Sequence, residues 1–138
     1  MASGDKRKSP KSKLLYPQEI EVWFVIPAIH RSLAQKFKEL NLSQKKIAAI
    51  LGVTEACVSQ YISGIRGTKV TFSESIQEEI AKAAKKIHFE GAEVVREVQK
   101  ICLIVKDSGL RCELHREYGK ANESCTICKS IQGLEADE

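Results

Sequence analysis

The stretch Leu42-Ser43-Gln44-Lys45-Lys46-Ile47-Ala48-Ala49-Ile50-Leu51-Gly52-Val53-Thr54-Glu55-Ala56-Cys57-Val58-Ser59-Gln60-Tyr61-Ile62 decides the fold. It divides at Gly52 into two short helices. Ser43 and Thr54 stand just before them and carry hydroxyls suited to capping free backbone N–H groups. A reversal within three or four residues needs a residue tolerant of positive φ, which Gly52 supplies. Two helices crossing at about 90–120° also need a small side chain where their backbones approach, and Ala48 is placed for that. Ile47, Leu51, Val53, Val58 and Ile62 occupy inward positions, while Thr54, Glu55, Ala56, Ser59 and Gln60 lie outward near the start of the second helix. The spacing predicts a helix-turn-helix over about residues 44–63.

On the N-terminal side, Leu14 to Leu40 reads as helix, with Ile20, Trp23, Phe24, Leu33, Phe37 and Leu40 at near-helical spacing. Pro27 interrupts it, removing a backbone donor and crowding the preceding turn, so a kink or two abutting helices is expected. On the C-terminal side, Gly64-Ile65-Arg66-Gly67-Thr68-Lys69 is a basic loop punctuated by glycine. Ser73 or Ser75 can start a fourth helix carrying Ile76, Ile80, Ala83, Ala84 and Ile87. Gly91 marks a break, and a fifth helix follows with Val94, Val95, Val98, Ile101, Cys102 and Val105 on one side, stopping near Asp107-Ser108-Gly109. Ile80, Ile87, Val94 and Ile101 recur every seven residues, a stripe read as intramolecular core ahead of a dimer seam. The remainder is polar, without clear period. The fold class is all-α, about five helices in total: an arm at 1–13, a helix-turn-helix domain over 14–90, then the last helix with a cysteine module over 91–138.

That arm holds Lys6, Arg7, Lys8, Lys11 and Lys13 against Asp5, so the whole net charge of +4 resides there and the rest of the chain is electrically balanced. Such a run is a solvated tail or an arm that follows a nucleic-acid backbone. No apolar run reaches the ~18–20 residues of a membrane span, and no apolar segment follows the basic residues as in a secretory signal. A cytoplasmic protein is expected.

Of the five cysteines, Cys102, Cys112, Cys125 and Cys128 fall in the last 37 residues. Without an export signal, clustered thiols argue for metal before disulfides. Cys125-x-x-Cys128 can place two sulfurs on one metal; Cys102 would project from the end of the fifth helix and Cys112 from the loop after it. Structural zinc commonly uses two such knuckles, whereas iron–sulfur clusters accept more irregular spacing. An iron–sulfur cluster, [4Fe–4S] ahead of [2Fe–2S], is preferred and zinc is the alternative, with His115 able to replace one ligand. Cys57, inside the second helix of the motif, reads as a packing residue. A thiol–disulfide enzyme built on Cys125 and Cys128 is a remote alternative, since no strand–helix alternation flanks the pair. No catalytic residue and no small-molecule substrate are expected.

The segment "LSQKKIAAILGVTEACVSQYISGIRG", residues 42–67, resembles the helix-turn-helix of Cro/repressor-type (XRE-like) transcriptional regulators. The wider chain, from "IEVWFVIPAIHRSLAQKF" to the terminal cysteines, resembles small archaeal predicted regulators. The first resemblance implies that Gln44, at a helix start, bonds a DNA phosphate, and that the second helix enters the major groove. There Gln60 can pair with an adenine edge, Ser59 and Thr54 with bases or phosphates, and Glu55 with a cytosine amine. Ala56 shares that face. Arg66 and Lys69 would hold the backbone and make affinity salt-dependent. The partner expected is double-stranded DNA, bound by a homodimer because one motif reads only a few base pairs. A cluster held by the four cysteines would act as a redox or iron sensor, whereas zinc would be a scaffold.

Overall fold

The computed structural model describes residues 16–118 and Ile127; the arm at 1–13, Cys125 and Cys128 lie outside the described residues. The described chain is helical throughout and no strand occurs among these residues. The elements are α1 (Pro17–Ile20), a π-helical turn (Glu21–Val25), α2 (Ile26–Glu39), α3 (Gln44–Leu51), α4 (Glu55–Ser63), α5 (Glu74–Glu90), α6 (Val94–Asp107) and α7 (Leu110–Tyr118).

Pro27 does not split the first helical run. The turn before it widens instead, with the Ile26 N–H donating to the Glu21 carbonyl five residues back. This π turn accommodates a position where proline offers no N–H and its ring crowds the carbonyl of Trp23. Buried Ile20, Phe24, Val25, Ala28, Ile29, Leu33 and Phe37 then line one side of the run.

α2 is the central post of the fold: α3, α4, α5 and α6 all pack on it. α5 starts at the Ser73 cap, whose Oγ accepts from the Ile76 N–H at 3.3 Å. Ile80 and Ile87 on α5 and Ile101 on α6 are buried and Val94 is half-buried, so the seven-residue stripe is internal packing. Val95 is 76% exposed and leaves that face, as the ~100° step between adjacent helical residues requires.

Helical structure resumes beyond Gly109. α7 packs against α6 and α1, with Leu114 buried and Leu110 and Tyr118 packed against the core. These three recur every four residues, one face of a helix. Tyr118 stacks on Phe24 with ring centroids 4.6 Å apart, and the buried Arg111 reaches Glu21 at 3.4 Å. One buried core thus runs from Ile20 to Leu114. Among the described residues, no helix is long and apolar enough to cross a membrane.

Candidate nucleic-acid interface

The cap chemistry read from sequence forms. Ser43 Oγ accepts from the Lys46 N–H at 3.1 Å, and Thr54 Oγ1 accepts from the Cys57 N–H at 3.0 Å. Gly52 ends α3 at φ 69° and ψ 33°, and the Val53 N–H folds back onto the Ala48 carbonyl at 3.1 Å. A Cβ at Gly52 would meet nothing within 4 Å. Its requirement for glycine is therefore conformational only.

Ile47, Ala48, Leu51 and Val58 are buried, Val53 and Ile62 half-buried. Cys57, 3% exposed, packs inside with Tyr61, a core contribution that its polar hydroxyl hides in sequence. Tyr61 also meets His30 of α2 edge-on, centroids 6.1 Å apart. Burial holds the His30 imidazole below its ordinary pKa.

The outward set emerges as one face. Thr54, Glu55, Ala56 and Ser59 are exposed and Gln60 is half-buried. Residues 55 and 59, and 56 and 60, are four apart and stack along the helix. Gln44, half-buried, opens α3 beside exposed Lys45 and Lys46. The exposed Lys45 and Lys46 side chains are of the kind that contact phosphate, and the polar α4 face is of the kind that contacts base edges.

Two residues expected on phosphates have partners within the chain. The Arg66 guanidinium donates to Gln60 Oε1 twice, from Nε at 3.0 Å and from Nη2 at 2.7 Å. Its carbon also lies 5.9 Å from the Tyr61 ring centroid. Lys69 is exposed, but its Nζ stands 5.8 Å from the Tyr118 ring centroid. A connection between the basic loop and α7 was not legible in the sequence.

Cys102 and Cys112 sit differently from expectation. Cys102 is 6% exposed inside the core rather than at a helix end. Burial, then the Glu21 carboxylate, push its thiol up to about 11. Cys112 lies on α7 rather than in a loop and is half-buried. His115 follows one turn later on the same helix. Among the described residues no three His, Cys, Asp or Glu side chains gather to hold a metal ion.

Residues 33–80, about a third of the chain, match the helix-turn-helix family model. No curated protein and no solved structure matches the chain. The match runs from Leu33 in α2 to Ile80 in α5 and encloses both motif helices and the basic loop. Residues 33–80 of this chain therefore form a helix-turn-helix.

Proposed function

We propose that the protein is a sequence-specific transcriptional regulator that binds double-stranded DNA as a homodimer, with α4 in the major groove. The observation that carries this reading is the exposed face of Thr54, Glu55, Ala56, Ser59 and Gln60 at the N-terminal part of α4, on a motif whose opposite side is buried. Local charge at Lys45, Lys46 and Lys69, together with the basic arm, supplies the attraction to phosphate that the balanced body lacks. The test is selection from a random duplex pool with the full chain, followed by affinity measurement across salt. An enriched two-fold symmetric site bound more weakly as salt rises supports the reading; absence of any enriched sequence contradicts it.

We further propose that the cysteine-bearing segment holds a metal through Cys112, Cys125 and Cys128, with Cys102 or His115 as the fourth ligand. An iron–sulfur cluster would add redox sensing, and zinc would add a scaffold. The partly exposed Cys112 with His115 one turn away supports the site, while the buried Cys102 weighs for His115 as the fourth ligand. Iron, sulfide and zinc analysis of protein purified without oxygen decides among them. One zinc per chain and no colour would remove the sensor, and no metal at all would remove the site.

A further inference from the structure

Among the described residues, two arginines, Arg31 and Arg111, hold a buried Nε that no acceptor meets. Arg111 still has a counter-charge, because its Nη1 reaches Glu21 at 3.4 Å. The Arg31 side chain has neither an ion pair nor a hydrogen bond among these residues. It stands on α2 against the loop that follows α4, where a Cβ on Gly67 would lie 3.0 Å from the Arg31 Cβ. The residue as a whole is half-buried, so the side chain is not fully enclosed.

A charged donor taken out of water without a partner lowers the stability of the free protein. A guanidinium carries five donors in a planar fork that matches the oxygens of a phosphate. The loop beside Arg31 is the one whose cations were expected on the DNA backbone. Of those cations, Arg66 donates to Gln60 and Lys69 stands over the Tyr118 ring. Arg31, placed against the same loop, has donors committed to no other residue. Resting on the proposed DNA-reading role of α4, we infer that Arg31 is a further DNA-contact residue, which clasps a backbone phosphate beside Gly67. Such a contact fixes the position of the protein on the duplex and reads no base.

The experiment compares the full chain with its Arg31→Met and Arg31→Gln variants. Affinity for the duplex selected by wild type and for a scrambled duplex is measured across salt, and thermal melting is recorded without DNA. Arg31→Met keeps the apolar stem and removes the charge. It should bind both duplexes roughly three- to tenfold more weakly, with the slope of log affinity against log salt shallower by about 0.9 for each protomer bound. The ratio of the two affinities should hold, because a phosphate carries no sequence information. The melting temperature without DNA should equal or exceed that of wild type, since an unpartnered buried donor is gone. If Arg31→Met does not fold, Arg31→Gln decides on the same readouts. Unchanged affinity and salt slope would overturn the inference and leave reading by α4 standing. So would loss of discrimination at one base pair with the slope unaltered, which marks a base contact. A lower melting temperature with wild-type binding by the folded variant marks packing alone and overturns it too. A wild type that enriches no duplex removes both readings.

Discussion

Gly67 lies against Pro27 so closely that a Cβ on it would stand 2.5 Å from the Pro27 carbonyl oxygen and 3.0 Å from the Arg31 Cβ. The loop that follows α4 is thereby seated on α2, at its second residue, just past the π turn. Its φ of 75° adds a second reason for glycine.

Substituting the two glycines separates these causes. Gly52→Ala meets no neighbour and suffers only from its left-handed backbone, a cost of about 1–2 kcal/mol. Gly67→Ala bears a similar conformational cost plus a clash with backbone that cannot swing away. Chemical denaturation should place Gly67→Ala clearly below Gly52→Ala in stability. Equal losses would show that the loop does not press on α2.

His30 makes stability depend on pH. Burial depresses its folded-state pKa below the ordinary 6.5, so the unfolded chain takes up the proton more readily. Stability from the neutral ring is therefore complete above about pH 6.5 and declines as pH falls toward the lower folded value. Wild type should lose roughly 2–5 °C of melting temperature between pH 7.5 and 5 beyond any loss in His30→Gln. Parallel pH profiles for the two proteins would contradict this.

Thiol reactivity should separate the described cysteines. In a chain with Cys125 and Cys128 replaced by serine, iodoacetamide at pH 8 should modify Cys112 well ahead of Cys102. Cys102 is both shielded and held protonated by burial and Glu21. Peptide mapping after short exposure checks the order, and unfolding in urea should abolish it. Fast native modification of Cys102 would show that α6 opens at that point.

Much of the motif was legible because its devices are local. A hydroxyl three residues before a backbone N–H, as at Ser43 and Thr54, forms its cap within a single turn. The α5 start at Ser73 follows the same rule. What escaped the sequence depends on neighbours distant along the chain or on weak periodicity. α7 has only Leu110, Leu114 and Tyr118 to mark its inner face amid charged residues, and Tyr118 finds its partner Phe24 across the fold. Cys102 reads as a ligand among clustered thiols, yet its place on α6 between Ile101 and Val105 makes it core. The Arg66–Gln60 pair depends on how the chain reverses after Gly64, which spacing alone does not disclose.

The most direct measurement is the ratio of affinities for the selected duplex and a scrambled duplex of the same composition, at one salt concentration, by fluorescence anisotropy with the full chain. Reading by α4 predicts a ratio of roughly 10³ or more for wild type. With Ser59 and Gln60 both changed to alanine, that ratio should fall by at least tenfold while binding to the scrambled duplex holds. A ratio unchanged by the double substitution would contradict base reading through the exposed face of α4.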